Sequence, residues 1–216
     1  MIKHLQPFIL TCIMATPQEF EERYRNGDLP WDSGGHDSNL KEVIYDYSIK
    51  PCPVLELGAG TCSDAIWLAK QGFKVTAIDV SPTAVEIAKK KVSEAGVDID
   101  VICADVLEDK LPGSLFTLIF DRGCFHSLEP TEDKSQLVRI IYDYLEHDGY
   151  WFSIIGSTDG PKREHGPPRM SLLDIAKLVE PQFEFVRIKA IEMDTNLPEP
   201  PRGWACLMRK RGMADP

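Results

Sequence analysis

The chain has 216 residues, 43% of them hydrophobic and 27% charged, with 34 acidic residues against 24 basic ones and a formal net charge of −10. That length holds one sizeable α/β domain with a buried core, and the acidic balance argues against a nucleic-acid partner, which needs a basic face to meet phosphates. Six cysteines (Cys12, Cys52, Cys62, Cys103, Cys124, Cys206) form no CxxC pair, which favours reduced thiols in a cytoplasmic protein over a disulfide framework or a metal site.

The run Phe8 to Ala15 is mostly apolar but far shorter than the ~20 residues that span a bilayer. No membrane segment is therefore expected, and residues 1–50 read as a soluble covering segment ahead of a core over 51–211, one domain in all. Glu19 to Tyr24 suits a short helix. Asn26-Gly27-Asp28 and Gly34-Gly35 are turn signals, and Trp31 lies between them, either as a lid or as a surface anchor. Leu40 to Tyr47 reads as a second helix leading into Pro53-Val54-Leu55-Glu56-Leu57-Gly58-Ala59-Gly60-Thr61. The apolar run predicts a strand covered on both faces. Gly58 and Gly60 then allow a tight turn and close backbone approach. Ala65, Ile66, Leu68 and Ala69 open a helix whose first N–H groups are free for a polar ligand.

The rhythm repeats downstream. Strands are expected over 74–80, 98–104, 115–120, 150–155, 183–191 and 204–208. Helices are expected from Ser81-Pro82 to Gly96, over 132–146, and from Ser171, its N-cap, to Val179. Alternating strands and helices predict a doubly wound, Rossmann-like α/β fold: seven strands, mostly parallel, with helices on both faces. The last two strands have only the proline-rich turn Leu197 to Pro201 between them, so the final strand is expected to run antiparallel.

In such sheets ligands bind at the carboxyl ends of the strands, and each of the first four strands ends on an acid: Glu56, Asp79, Asp105 and Asp121. For any one of them, a carboxylate that merely caps the next helix is the competing reading. Together around a glycine turn they describe a pocket. Asp79 lies 21 residues after Gly58 (79 − 58), near the ~20 expected of an acid that bonds a ribose diol. Asp105 suits an exocyclic amine such as that of adenine. Glu56 and Asp121 would flank a cationic part. Such a pocket rejects pyrophosphate and accepts a nucleoside with a positively charged tail, which describes S-adenosylmethionine.

At this point the chain resembles the class I S-adenosylmethionine-dependent methyltransferases. The matching residues are Glu56-Leu57-Gly58-Ala59-Gly60-Thr61, Ala77-Ile78-Asp79-Val80-Ser81, Ala104-Asp105-Val106 and Phe120-Asp121-Arg122-Gly123. The resemblance covers roughly Phe20 to Arg211. It implies cofactor contacts at Glu56, Gly58, Ala59, Gly60, Asp79, Val80, Asp105, Val106 and Asp121, with S-adenosyl-L-homocysteine as product. Cys62 stands where the family usually has a third glycine. A narrower resemblance, carried by Arg23-Tyr24, Pro30-Trp31-Asp32 and Asp121-Arg122-Gly123-Cys124-Phe125-His126-Ser127-Leu128, is to the thiopurine and thiol methyltransferases and their tellurite-resistance relatives. It implies that Trp31 closes over the cofactor and that the acceptor is a small soft nucleophile such as a thiol.

For the acceptor side, Asp121 and His126 are the candidate catalytic residues. Arg122, Arg163 and Arg169 are candidates to hold an anionic group or steady a thiolate. His126 as a plain histidine at the start of a helix, and Arg163, His165 and Arg169 as a solvated loop, remain open. A monomer or weak dimer acting on a small molecule is expected. Protein-lysine methylation is the alternative function, since it keeps the same cofactor motifs. A nicotinamide dehydrogenase wants glycine where Ser63 stands and gives no reason for Asp105. A binding module that has lost catalysis has Cys62 as its only hint.

Overall fold

The computed structural model describes residues 16–112, 115–161 and 166–212. Seven strands form one sheet in the order β3-β2-β1-β4-β5-β7-β6: β1 Pro53–Leu57, β2 Lys74–Asp79, β3 Ile99–Cys103, β4 Phe116–Arg122, β5 Leu145–Gly156, β6 Phe183–Glu192 and β7 Arg202–Lys210. β1 to β5 pair in parallel. β7 runs antiparallel to both β5 and β6, between which it inserts, as the hairpin reading required.

The period of two along each central strand sends alternate side chains to opposite faces. Leu55, Ile119, Trp151 and Ile155 join one core, and Val54, Leu118, Phe120, Phe152 and Ile154 join the other. α6 Thr131–Tyr144 and α7 Leu172–Val179 cover the first. α2 Ser38–Asp46, α3 Ser63–Lys70 and α4 Pro82–Ala95 cover the second. α1 Pro17–Asn26 lies outside these layers and packs on α4.

Local signals explain the helix ends. The Ser81 hydroxyl accepts from the Ala84 N–H, Pro82 occupies the first turn, and Gly96 closes α4 in the left-handed region. Ser171 caps α7 through the Asp174 N–H. Two features depart from expectation. β5 starts at Leu145 rather than 150, because an irregular register shift lets Leu145 pair with Phe116 before Tyr150 pairs with Leu118. A four-residue helix, α5 Cys124–Ser127, follows β4 and is too short to leave a periodic signature.

Candidate active site

The strand order reverses between β1 and β4, the place where open sheets of this kind leave a crevice. There Gly58 and Gly60 take φ values of +61° and +53°. A Cβ on Gly58 would sit 3.0 Å from the Cys124 Cβ, and one on Gly60 would sit 2.5 Å from the Tyr24 hydroxyl. Only glycine lets the backbone approach so closely. The Gly60 N–H donates to Asp79 at 2.8 Å, and the Ser81 N–H donates to the other oxygen of the same carboxylate at 2.9 Å. Asp79 therefore ties the turn to the start of α4, with a second lone pair still free on each oxygen. Cys62 takes a left-handed conformation, φ +61°, uncommon for a residue with a side chain. Its thiol is buried, and burial pushes its pKa upward.

Residues of the covering segment close over the turn. Tyr24 is buried and accepts from the Trp31 indole N–H at 3.3 Å. Trp31 meets Phe20 and Tyr24 edge-on at 5.7 and 5.9 Å, with the Arg23 guanidinium 4.6 Å above its ring. Three polar anchors hold this cover down. Glu21 accepts from the Ser81 hydroxyl (2.5 Å), the Thr83 hydroxyl (2.7 Å) and the Thr83 N–H (3.1 Å), and these bonds lower its pKa to about 2. Asp32 accepts from the Thr61 hydroxyl at 2.7 Å. Asn196, beyond β6, donates through its N–H to the Pro30 carbonyl at 2.8 Å and through its side chain to the Asp32 carbonyl.

Between cover and turn runs a cleft of about 360 Å³, part of it open to solvent, lined by Tyr24, Trp31, Gly60, Glu56, Asp64 and Arg122 among others. Its charge is unbalanced. Arg122 lies 3.4 Å from the Asp64 carboxylate and donates to the Asp194 carbonyl at 3.1 Å. Glu56 is 3% exposed, and its Oε2 has no hydrogen-bond partner among the described residues. Burial, followed by the Asp64 charge, pushes the Glu56 carboxyl well above the ordinary range. Burial raises Asp64 to about 6 despite Arg122. Buried carboxylates with too little counter-charge favour a cationic occupant.

Residues 54–149 match the family model described as a methyltransferase domain. Over that span the chain is similar to methyltransferase domains. The chain is 27% identical to a probable thiol methyltransferase 2 of Arabidopsis thaliana, over 78% of this chain and 75% of that relative. A solved structure reported under the conversion of a disulfide bond into a thioacetal group during echinomycin biosynthesis superposes with a TM-score of 0.79 at 20% identity, covering 93% of this chain and 94% of the other. The 1,6-didemethyltoxoflavin-N1-methyltransferase of Burkholderia thailandensis, solved with bound 1,6-didemethyltoxoflavin and S-adenosylhomocysteine, gives 0.74 at 20% identity over 91% and 87%. At such identities the structures establish the fold. The chain spans about half the length of the first curated relatives it matches, 44%, 54% and 58% of them. The Burkholderia enzyme holds S-adenosylhomocysteine, and the cleft residues of this chain fit the corresponding donor, S-adenosylmethionine. The orphaned Glu56 oxygen suits its ammonium, Arg122 its carboxylate, and the bare glycine turn its close approach.

The sequence-predicted residues do not all converge on the cleft. Trp31, Glu56, Gly58, Ala59, Gly60 and Arg122 line the cleft, so Arg122 stands on the cofactor side rather than with the loop that follows β5. Asp79 holds the turn from behind. Val80, Asp105 and Val106 flank the ends of β2 and β3 outside the cleft lining. Asp105 accepts from the Leu107 N–H at 2.9 Å.

Asp121 and His126 are turned elsewhere. Asp121 is fully buried, with one oxygen accepting from the Phe125 N–H at 3.0 Å and the other from the Trp151 indole at 2.9 Å, and burial raises its pKa to about 6. It anchors α5 to β5. His126 is 2% exposed and its Nδ1 accepts from the Gly156 N–H at 3.2 Å. Burial lowers its pKa to about 4, so the ring is neutral with its acceptor nitrogen occupied, and it is not placed to take a proton from an acceptor in the cleft. The Arg169 guanidinium donates to the Gly160 and Pro161 carbonyls, bracing the loop after β5. Arg163 and His165 lie outside the described residues.

Sequence reasoning gave no role to Tyr24, Thr61, Ser63 or Asp64, which line the cleft. Asp64 sits in the first turn of α3, and only its pairing with Arg122 across the fold reveals its part. Among the described residues the five cysteines are free, no cluster suits a metal ion, and no helix is long and apolar enough to cross a membrane.

Proposed function

We propose that this chain transfers the methyl group of S-adenosylmethionine to a small acceptor whose reacting atom is a soft nucleophile, a thiol foremost. The observation that carries the reading is the buried, unpartnered Glu56 oxygen beside the glycine turn, in a cleft that Arg122 also lines. That arrangement favours a zwitterionic tail with a positive centre and disfavours the pyrophosphate of a dinucleotide. The cover of Tyr24 and Trp31 supports a small acceptor over a protein chain, which needs an open groove. The thiol methyltransferase among the relatives supports sulfur as the reacting atom.

When bound, the cofactor supplies an activated methyl group on a sulfonium. The chain's own residues then have three tasks. Glu56 and Arg122 orient the tail. Gly58 and Gly60 let it lie against the backbone. Trp31 and Tyr24 keep water away from the reacting centre, and positioning with water exclusion supplies most of the rate of an in-line displacement. With Asp121 and His126 occupied in the core, no base is assigned. A thiol acceptor reacts as its thiolate, after losing its proton to solvent.

The test is calorimetric titration with S-adenosylmethionine and with NAD, followed by mass spectrometry of a panel of thiols, oxygen acceptors and lysine peptides incubated with enzyme and donor. Methylated thiols are the expected product. Uptake of NAD without uptake of the sulfonium donor would overturn the assignment, and methylated peptides alone would replace the acceptor.

A further inference from the structure

One polar group in the cleft has a proton with nowhere to go. The Tyr24 hydroxyl rests against the Gly60 backbone, 2.5 Å from the point where a side chain would begin. Its oxygen accepts from the Trp31 indole, and among the described residues nothing accepts its own proton. Burial, and after it the charge of Asp79, hold the phenol in its protonated form. It is therefore a donor inside a space whose other side chains are mostly acceptors: Glu56, Asp64 and Asp32. Arg122 brings the only positive charge among the cleft-lining residues described, and Asp64 already draws on it.

A ligand lying in this cleft meets unequal treatment at its two ends. Its cationic groups find several carboxylates. An anionic group finds Arg122, the Tyr24 O–H and the Ser63 hydroxyl, to which the Lys91 ammonium donates at 2.9 Å; the Thr61 hydroxyl is already given to Asp32. From this geometry we infer that Tyr24 is a positioning residue that donates its hydroxyl proton to the carboxylate of the donor's amino-acid tail, sharing that group with Arg122. This rests on the reading of the donor as S-adenosylmethionine. It assigns two tasks to Gly60: the turn itself, and the room in which the hydroxyl stands. It also gives the cover a part in selecting the donor, because α1 carries the group that reads the tail.

The test compares two ligands that differ in one group, S-adenosylmethionine and its decarboxylated form, which keeps the sulfonium and the amine. Both are titrated calorimetrically into the full chain and into Tyr24→Phe. A hydrogen bond to a charged group predicts that Tyr24→Phe binds S-adenosylmethionine about tenfold or more weakly, yet binds the decarboxylated ligand within about twofold of wild type. An equal loss for both ligands, or none for the carboxylated one, overturns the inference. Wild-type protein provides an arm that does not depend on the variant folding: it must bind the decarboxylated ligand at least about tenfold more weakly. Equal wild-type affinities overturn the role of Tyr24 and leave the donor assignment intact. Uptake of neither ligand overturns both.

Discussion

The contact between Gly60 and Tyr24 can be put on a free-energy scale. Gly60→Ala places a methyl group in a left-handed residue, which costs about 1–2 kcal/mol, and sets it 2.5 Å from the Tyr24 hydroxyl. Ordinary contact requires the hydroxyl to retreat by roughly 1 Å, and forcing extra volume into a packed site costs about 1–3 kcal/mol. The next nearest ring atom, Cζ, would be 3.7 Å from the added methyl, so removing the hydroxyl oxygen alone removes the collision. Gly60→Ala is therefore expected to cost about 2–5 kcal/mol in the wild type but only about 1–2 kcal/mol in a Tyr24→Phe background. The coupling of about 1–3 kcal/mol is read from urea unfolding of the four proteins. An identical cost in both backgrounds would mean that the Tyr24 hydroxyl does not rest on the turn.

Three further outcomes are expected. The folded state raises the pKa of Asp121 from 3.8 to about 6, so between those values it binds a proton that the unfolded chain lacks. Its contribution is a cost of about 3 kcal/mol above pH 6 that disappears toward pH 4. His126, lowered from 6.5 to about 4, acts in the opposite sense and loses stability as pH falls through the same window. Denaturation curves from pH 4 to 7 should thus show Asp121→Asn losing stability in acid relative to wild type, and parallel curves would contradict the assignment. Glu56→Gln should weaken donor binding about tenfold while leaving the unfolding free energy at pH 8 unchanged or higher, since a buried under-neutralised charge is gone; calorimetry at wild-type affinity would remove Glu56 from the site. His126→Ala should cost about 2–4 kcal/mol of stability, from the cavity and the stranded Gly156 N–H, with turnover per folded molecule preserved. A large fall in turnover with stability intact would return His126 to the chemistry.

The parts of this molecule that follow from local rules were legible in the sequence. Val54 to Gly60, the capped start of α4 at Ser81-Pro82 and the closing hairpin depend on neighbours within a few positions. The parts that depend on which face a residue occupies were not. Asp121 and Arg122 are adjacent in the chain, but the period of two sends Asp121 into the core of Trp151 and Phe125 and sends Arg122 to the cleft. The sequence reading paired Asp121 with the site because it ends a strand and falls in a matching motif, neither of which says which face it occupies. Asp64 and Tyr24 escaped it for a related reason. Their partners, Arg122 and Gly60, are 58 and 36 positions away (122 − 64 and 60 − 24), and no short motif encodes that proximity. The early start of β5 was hidden because Glu146-His147-Asp148-Gly149 has the composition of a turn and pairs with neither neighbouring strand, although Leu145 before it pairs with Phe116.

The insertion of β7 between β5 and β6 sets an order of events during synthesis. β6 leaves the ribosome with no neighbour to pair with, because the position beside β5 belongs to a stretch not yet made. Until residues 202–210 emerge, β5 presents an open edge and β6 is a free ribbon, the kind of exposure that invites association between nascent chains. A stop codon placed in the segment linking the two strands would therefore yield an aggregating product rather than a slightly shortened enzyme, although every residue lining the cleft would already be in place.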